Sequence, residues 1–392
     1  MTRKEFIRIC GLLGIALPFQ PLRSANHSPA SDFSGSVLII GAGAAGMSTG
    51  YLLAQQGIDF KILEAADAYG GRMKRTFTFA DFPIPLGAEW LHAPQKELTE
   101  IVNDPFVVPT TVLKGYSGRE QVGYFEDGEL SYYSLAEAFG DDFNDHKFIH
   151  SSWFDFFDEY VVPRVLENMQ LDTEIVSIDY RDDRIMATDN QGKSYEADRI
   201  VITVPLKILQ KSAINFIPEL PRPKLKAIES APVWGGLKVF LQFSKQFYPT
   251  YLGFSDSETK QGQRVYYDAA YGQNTAQHVL GLFAVGEQAK VYQRLSDREQ
   301  LDYILAELDQ VFDGEASRTY VKHIVQNWDS EPFIESAYLS DHAPSSVPGR
   351  LSTAVDKKLY FAGDAYTQQD DWGGVHNATR SARRVVGKIL LT

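Results

Sequence analysis

Near its N-terminus the sequence reads as a strand, a glycine-rich turn, a helix and a second strand. Val37 to Ile40 is an apolar, β-branched run typical of a buried parallel strand, and apolar residues recur at helical spacing after the turn. In the turn, Gly41 permits a tight bend, Gly43 lets the backbone approach a pyrophosphate, and Gly46 lets the helix pack closely. The start of the helix, around Ala45, offers amide donors to an anion. The pattern predicts a dinucleotide-binding fold.

An acidic residue, Glu64, follows the second strand, Phe60 to Leu63, and lies eighteen residues beyond Gly46. A carboxylate at this place accepts hydrogen bonds from the hydroxyls of a ribose. A glycine turn alone is a weak signal, because glycine-rich loops also occur for packing reasons. The two strands, the helix and Glu64 in this order favour a nucleotide site.

Two further blocks indicate which dinucleotide is bound. Gly70-Gly71-Arg72-Met73 comes soon after the second strand, and near the far end of the chain a strand runs into Gly363 and Asp364. A nicotinamide site is completed within one contiguous half of a chain, whereas FAD is long enough to lie across segments from both ends. We therefore predict FAD, with Arg72 facing its pyrophosphate and Asp364 facing a ribityl hydroxyl.

The last segment of the chain opens with Gly373, Gly374 and Val375 and continues with apolar residues at helical spacing. A helix that begins there places its positive end under the N1/O2 edge of the flavin, where it stabilises the negative charge of the reduced ring. The same helix carries basic residues that we interpret as a solvated face, namely Arg380, Arg383, Arg384 and Lys388.

In this order the blocks resemble the flavin-containing amine oxidases, and the branch of polyamine oxidases and lysine-specific histone demethylases more than the monoamine oxidases. Residues 86–92, 200–206, 237–243 and 328–338 also carry the resemblance, which extends from residue 36 to residue 391 and is poor between 95 and 165. The predicted FAD contacts are Gly41, Gly43, Ala45, Gly46, Glu64, Gly71, Arg72, Gly87, Ala88, Glu89, Trp90, Val176, Trp328, Gly363, Asp364, Gly374 and Val375.

The resemblance implies an α/β fold in which a Rossmann-like FAD-binding domain of the glutathione-reductase type is interleaved with an α+β substrate domain. We predict FAD-binding parts at 36–95, 171–210 and 331–392. The substrate domain then comprises a shortened, helical part at 96–170 and a mixed sheet at 211–330. Two of its segments, Trp153 to Met169 and Asp302 to Phe312, are predicted to be helical.

Three catalytic residues are implied by the resemblance. Lys238 matches a lysine that holds a water against flavin N5 and assists reoxidation by oxygen, and strand alternation puts it opposite Val239. His92 matches a histidine beside the substrate channel of polyamine oxidases. Tyr338 matches an aromatic residue that faces the flavin and forms one wall of an amine cage. The alternatives are a solvent-facing strand lysine for Lys238 and a packed histidine for His92.

The implied reaction is oxidation of a C–N bond of an amine by hydride transfer to flavin N5, after which oxygen reoxidises the flavin and gives hydrogen peroxide. The implied substrate is a polyamine-like or other primary or secondary amine. Two alternatives stay open. One is an FAD-dependent dehydrogenase, desaturase or isomerase acting on an apolar substrate, against which Lys238 and the block around His92 count. The other is a non-catalytic flavin-binding module that recognises a partner.

The sequence departs from the family at three places. Ala337 stands where monoamine oxidases carry the cysteine that attaches FAD, so we predict that FAD is bound non-covalently. The second cage tyrosine of those enzymes falls near Gly374, which leaves more room over the ring. The stretch between His92 and Glu174 is short, so the identity of the amine is the property that the resemblance predicts least.

The chain carries 51 acidic and 38 basic residues, a formal net charge of −13. Such a surface repels nucleic acid, which we do not expect as a partner, and favours the approach of a cationic substrate. His146 and His150 lie near Asp145, but they belong to no recognisable ligand pattern. We interpret them as a solvated helix end and predict no metal site.

The first 30 residues resemble an export signal of the twin-arginine type, with Arg3 and Lys4 before an apolar run from Ile9 to Phe19. The run is too short to span a bilayer as a stable helix. Because such signals carry proteins that load their cofactor before export, we expect a periplasmic protein, with anchoring through an uncleaved signal as the alternative. The only cysteine, Cys10, lies in this segment, so the chain forms no internal disulfide.

Overall fold

A computed structural model describes residues 33–140, 143–367 and 372–392. The segment predicted to be an export signal lies outside the described residues, and so does Cys10.

Five parallel strands form the centre of the dinucleotide fold, here called the nucleotide sheet. Its strands come from distant parts of the sequence, and the run that contains Val37 is flanked on both sides by strands with buried apolar residues. Such strands belong to a sheet that is covered on both faces. In spatial order the strands are Met169–Gln170, Asp59–Leu63, Ser36–Ile40, Arg199–Ile202 and Leu359–Phe361. This sheet confirms the predicted α/β, Rossmann-like architecture.

One face of the nucleotide sheet is covered by two long helices that pack against each other, Ala44–Gln55 and Val375–Leu390. The first begins directly after the glycine turn, and the second is the C-terminal helix predicted from its apolar spacing. Their buried side chains share one core cluster with the sheet. Shorter helices that join this layer are Lys96–Val102 and Trp153–Tyr160.

The other face of the nucleotide sheet packs against a four-stranded sheet and three short helices. Three antiparallel strands that follow Glu174 supply most of this layer. Its strands, in spatial order, are Ser194–Ala197, Ile185–Asp189, Ile175–Asp179 and Asn215–Ile217. The helices are Leu206–Gln210, Arg222–Ser230 and Ser346–Leu351.

A large, mainly antiparallel sheet forms the second half of the molecule. Gly236–Phe243, the second strand from one edge, alternates as predicted: Val239 and its like-facing neighbours join one core cluster, whereas Phe240 joins another on the opposite face. The strand order is Tyr320–Asn327, Gly236–Phe243, His278–Gly286, Gly262–Asp268, Tyr251–Phe254, Gln121–Glu126 and Glu129–Ser134, and Glu258–Thr259 pairs with Gly262–Asp268. The helices Glu287–Gln293, Asp297–Val311 and Glu315–Thr319 lie against one face.

Small elements join the two halves. A three-stranded sheet consists of Trp90–Leu91, His146–Phe148 and Leu113–Gly115, and two-stranded pairs are formed by Arg75–Thr76 with Ile84–Pro85 and by Val233–Trp234 with Tyr338–Leu339. Among the described residues, the remaining helix is Leu135–Phe139, and the 3-10 turns are Gly71–Met73, Val162–Arg164, Leu166–Asn168 and Asp364–Tyr366.

The structure corrects one predicted helix and bears out the other. The helix expected from Trp153 to Met169 ends at Tyr160 and is followed by two 3-10 turns. Pro163 explains this end, because proline lacks the amide donor that a continuing helix needs. Met169 then enters a strand of the nucleotide sheet. The predicted helix from Asp302 to Phe312 is present within Asp297–Val311.

Two interpretations of charged residues are wrong. His146 lies in a strand and His150 in a bend with φ +51°, so these histidines are not a helix end. On the C-terminal helix, Arg380 donates two hydrogen bonds to the buried carboxylate of Glu97, at 3.0 and 2.7 Å. Arg384 donates to the carbonyl oxygen of Tyr366. These arginines fasten the helix to its neighbours and do not form a solvated face.

Within the three described ranges, no helix combines the length and the apolar character that a membrane crossing requires.

Candidate active site

A cavity of about 680 Å³ runs between the nucleotide sheet and the large sheet. At one end it is lined by the glycine turn and Glu64. At the other end it is lined by Lys238, His92 and Tyr338. Of the predicted site residues, only Gly46 and Val176 are not on its wall. The cavity therefore joins the predicted cofactor contacts to the predicted catalytic residues.

The glycine turn has the conformation that its sequence requires. Gly41 has φ +106°, a value that side chains other than glycine rarely adopt, and its amide donates to Leu63 O at 2.8 Å. A Cβ on Gly46 would lie 1.9 Å from the carbonyl oxygen of Gly41, so this glycine serves close packing. A Cβ on Gly43 would meet nothing within 4 Å, because this position faces the cavity.

Glu64 is held by backbone amides at the end of its strand. Its carboxylate accepts hydrogen bonds from Ala42 N at 2.5 Å and from Ala66 N at 3.0 Å. Burial raises the pKa of this carboxyl, and the amide hydrogen bonds only partly oppose the rise. The residue lies on the cavity wall beside the glycine turn, as a contact to a ribose requires.

Arg72 and Asp364 bind each other. The guanidinium donates to both carboxylate oxygens, at 2.5 and 3.1 Å, and also to Ala337 O. The Arg72 backbone is held in turn, because its carbonyl accepts from Ala88 N at 2.9 Å and a Cβ on Gly87 would lie 1.9 Å from the same oxygen. The sequence predicted separate cofactor contacts for the two side chains, whereas the structure joins them into one pair on the cavity wall.

Both long helices begin at a glycine on the cavity wall, Gly43 for Ala44–Gln55 and Gly374 for Val375–Leu390. Among the described residues, no side chain caps the first turn of either helix. Two uncapped helix starts and the open face of Gly43 fit the anionic and carbonyl groups of an elongated dinucleotide such as FAD. Val176 lies at a β-bulge between Ile175 and Ser177 and off the wall, so its predicted contact is not supported.

Lys238 is buried at the far end of the cavity, with only 3% of its surface exposed. Its Nζ lies 2.6 Å from Glu89 Oε2 and 3.4 Å from Pro85 O, and 5.0 Å from the ring of Trp90. Burial lowers the pKa of this lysine, Glu89 opposes the effect, and the nearby ammonium of Lys147 adds to it. The solvent-facing alternative for Lys238 is therefore wrong.

Glu89 lies between two lysines. Lys147 Nζ is 2.8 Å from Glu89 Oε1, and the hydroxyl of Tyr267 donates to Oε2. Burial alone would raise the pKa of the Glu89 carboxyl, but the two ammonium groups outweigh it and hold that pKa below its usual value. Glu89 was predicted to contact FAD; the structure shows it on the cavity wall and bound to Lys238.

His92 has a buried acidic partner. Its Nδ1 lies 2.8 Å from Asp145 Oδ1, and Asp145 is almost fully buried. A carboxylate at this distance fixes the orientation of the imidazole. The ring lines the cavity beside Trp90, with the two ring centroids 6.1 Å apart.

Two carboxylates, Glu258 and Asp341, line the cavity near Tyr338. Burial raises the pKa of Glu258 to about 8, with a further contribution from Asp341, and burial raises the pKa of Asp341 to about 6. Asp341 Oδ2 accepts from Gln263 Nε2 at 2.9 Å. Glu258 is 7% exposed, and its Oε2 accepts no hydrogen bond from any residue that the structure describes.

Sequence reasoning missed Lys147, Asp145, Tyr267, Glu258 and Asp341. Lys147 and Asp145 fall in the stretch that matches the family poorly, and Glu258 lies in a hairpin without a motif. Asp341 follows Tyr338 by three residues and could have been found from it.

Comparison with known proteins agrees with this geometry. The pattern of the flavin containing amine oxidoreductase family matches residues 124–390, and that of an NAD(P)-binding Rossmann-like domain matches residues 39–105. The chain is 24% identical over 446 residues to lysine-specific histone demethylase 1B of Mus musculus, covering 93% of this chain and 53% of that protein. It therefore spans about half the length of that relative.

Polyamine oxidase 4 of Oryza sativa subsp. japonica is 25% identical over 438 residues, which cover 88% of this chain and 86% of that protein. A solved structure of a putrescine oxidase bound to putrescine superposes with a TM-score of 0.75 at 15% identity, covering 92% of this chain and 100% of that chain. At this identity the likeness shows the fold.

Proposed function

The chain belongs to the family of flavin-containing amine oxidoreductases, and we propose that it oxidises a polyamine-like cationic amine with non-covalently bound FAD. The observation that carries the proposal is a continuous cavity that joins the glycine turn to Lys238, Glu258 and Asp341. The names of the relatives support the substrate class, and the acidic end of the cavity supports it independently.

FAD would be held by the glycine turn, Glu64, the Arg72–Asp364 pair and the start of the C-terminal helix. When bound, it accepts two electrons and a proton from the carbon beside the amine nitrogen and passes the electrons to oxygen. Ala337 offers no thiol for attachment, which supports non-covalent binding. The chain's own residues need only orient the amine, exclude water and hold protons.

Lys238 supplies a nitrogen that can hold or release a proton at the cavity wall. Its Nζ is fixed by Glu89 and is screened from bulk water by Trp90 and Tyr267. His92 presents an imidazole whose orientation is fixed by Asp145. These two groups are the proton-carrying side chains that we assign to catalysis, and Tyr338 supplies the aromatic wall.

Glu258 and Asp341 favour a cationic substrate over an apolar one. An ionised carboxylate in a low-dielectric cavity is costly, as the raised pKa values of both groups indicate, and an ammonium group that enters the cavity lowers this cost. An apolar substrate would leave Glu258 Oε2 without a hydrogen bond, with only the imidazole of His342 near the other oxygen, at 3.7 Å. The two carboxylates therefore count against the alternative of an apolar dehydrogenase or isomerase.

The test is peroxide production with a matched set of compounds, namely spermidine, cadaverine, pentylamine and pentanol. We expect amines to be oxidised, those with a second ammonium to be preferred, and pentanol to be inert. Oxidation of pentanol or of apolar compounds alone would contradict the proposal, and the absence of any turnover would favour a binding module.

Glu258→Gln separates the role of this carboxylate from the chemistry. Loss of a charged hydrogen bond to a second ammonium is worth about 1.5–3 kcal/mol, so KM for cadaverine should rise roughly 10-fold or more. KM for pentylamine should change much less. Equal changes for both amines would remove Glu258 from the recognition of a second ammonium.

We also propose that the protein is exported. Support comes from the first 30 residues, in which Arg3 and Lys4 precede an apolar run. Fractionation of cells that make the full chain should place the flavoprotein in the periplasm, and replacement of Arg3 and Lys4 by glutamine should retain it in the cytoplasm. Periplasmic protein at unchanged level in the double variant would contradict the twin-arginine assignment.

A further inference from the structure

We propose that Lys147 is a positioning residue for amine oxidation, which acts on Lys238 through the carboxylate of Glu89 that the two lysines share. The inference rests on the proposed function, because it assigns a role in that reaction to a residue that does not reach the substrate. Lys238 and Glu89 lie on the cavity wall, and Lys147 lies behind them.

The geometry of the three side chains is that of a bridge. Lys147 Nζ lies 2.8 Å from Glu89 Oε1, and Lys238 Nζ lies 2.6 Å from Glu89 Oε2. All three residues are buried, with at most 4% of their surface exposed. Each lysine therefore occupies its own oxygen of one carboxylate, and a movement of the carboxylate toward one lysine weakens its contact with the other.

Backbone pairing holds Lys147 in this position. Its strand, His146–Phe148, is antiparallel to Trp90–Leu91, and Lys147 stands directly opposite Trp90, the residue after Glu89. The ammonium also donates to Ala269 O at 2.6 Å. Tyr267, in a strand of the large sheet, donates to Glu89 and fixes the carboxylate further. Lys147 thus has a hydrogen-bond acceptor in Ala269 O, an ion-pair partner in Glu89 and a fixed register, so it anchors Glu89 from the side away from the cavity.

The charges do not cancel in this cluster. One buried carboxylate faces two ammonium groups, so Glu89 compensates Lys238 less completely than it would if Lys147 were absent. Other titratable groups that interact with the cluster sit on the packed elements around it. They are Tyr267, Tyr116, Tyr251, Asp145 and Asp268.

Two substitutions should shift the titration of Lys238 in opposite directions. In Lys147→Met, Lys238 is the one lysine that still pairs with Glu89, so Lys238 should hold its proton more tightly. In Glu89→Gln, the counter-charge is lost while Lys147 remains, so Lys238 should lose its proton more easily. A nearby charge moves a pKa by about 1–3 units, so each midpoint should move by roughly 1 pH unit or more. If Lys147 only packed against its neighbours, the midpoints of the two variants would not move in opposite directions.

The midpoint of the Lys238 titration is measured in two ways. The first readout is the pH dependence of the reaction of the reduced enzyme with oxygen. The second needs no turnover: in protein labelled with carbon-13 lysine, the ε-methylene shift of Lys238 is followed against pH, and the resonance is assigned from its loss in Lys238→Met. A wild-type enzyme that no amine reduces would defeat the proposed function, whereas the carbon-13 titration would still decide the role of Lys147.

Lys114→Met is the matched control, because Lys114 stands opposite Lys147 in the same small sheet and is exposed. It should leave the midpoint unchanged. Lys147→Arg keeps the positive charge and should stay near the wild-type midpoint. If Lys147→Met does not fold, the titration of Lys147→Gln takes its place. Midpoints that move in the same direction in the Lys147 and Glu89 variants, or that do not move, would overturn the proposal.

Discussion

Arg72 and Asp364 are 292 residues apart in the sequence, yet their side chains form an ion pair of 2.5 Å on the wall of the cavity. The pair joins the 3-10 turn that follows the glycine turn to the end of the last strand of the nucleotide sheet. It is therefore the point at which the two ends of the chain close the cofactor site.

Loss of this pair should weaken FAD binding. Arg72→Met leaves the buried Asp364 carboxylate without its partner and removes a cation beside the cavity, which should cost about 1.5–3 kcal/mol in binding. The dissociation constant of FAD, measured by fluorescence titration of the apoprotein, should rise roughly 10- to 100-fold. Arg298→Met, at an exposed helix position, is the control and should bind FAD like the wild type. Equal affinity in both variants would contradict the role of the pair.

Two glycines in helices should respond in opposite ways to alanine. Gly46→Ala puts a Cβ 1.9 Å from the carbonyl oxygen of Gly41, so the turn must shift, and the free energy of unfolding should fall by about 2 kcal/mol or more. Gly387 lies within the C-terminal helix with nothing within 4 Å of a Cβ, so Gly387→Ala should raise stability by about 0.5–1 kcal/mol. Urea unfolding of both variants tests this contrast. A Gly387→Ala protein that is less stable than the wild type would contradict the prediction.

Stability should fall as the pH rises through neutrality because of Glu258 and Asp341. Burial raises their pKa values in the folded protein to about 8 and about 6, above the ordinary values of 4.5 and 3.8. In this range the folded state binds more protons than the unfolded chain, so their contribution is greatest at low pH and is lost as the pH rises toward 8. Each group contributes a slope of at most about 1.4 kcal/mol per pH unit.

The matched variant for this pH dependence is Glu258→Gln. Its unfolding free energy should vary less between pH 6 and pH 8 than that of the wild type, as measured by urea unfolding. An identical slope in both proteins would show that Glu258 does not titrate in this range.

Lys238→Met should affect the reaction with oxygen more than the binding of FAD. The substitution removes the hydrogen bond from Lys238 to Glu89 and the proton-carrying nitrogen at the cavity wall. The Arg72–Asp364 pair stays intact. Stopped-flow reoxidation of the reduced enzyme should slow by roughly 10²-fold or more, as expected for loss of a proton-transfer group. Lys322→Met, on a neighbouring strand, is the control. An unchanged oxygen rate would remove Lys238 from this step.

The cofactor end of the site could be predicted from the sequence because local geometry dictates it. Gly41 needs a positive φ, Gly46 needs a close contact, and Glu64 ends a parallel strand, so each leaves a mark in the order of residues. The alternation that placed Lys238 opposite Val239 follows in the same way from the strand period.

The partners of the catalytic residues could not be predicted, since they depend on tertiary contacts. Lys147 reaches Glu89 because two short strands, Trp90–Leu91 and His146–Phe148, pair with each other although they begin 56 residues apart in the sequence. Glu258 and Asp341 come together only at the cavity wall. The arginines of the C-terminal helix were misread for the same reason, because Glu97, which binds Arg380, lies in another helix. The helix predicted from Trp153 is too long, because apolar spacing continues past the point where Pro163 stops the helix.

In the proposed reaction, one FAD would occupy the cavity that Lys238 lines, and an amine would reduce it there. The direct measurement is an anaerobic titration of the purified protein with spermidine or cadaverine, followed by the flavin absorbance near its visible maximum. We predict a yellow protein with one FAD per chain, released by denaturation, that is bleached by about one equivalent of amine and recovers in air with release of peroxide. A colourless protein that takes up no FAD, or a yellow protein that no amine bleaches, would contradict it.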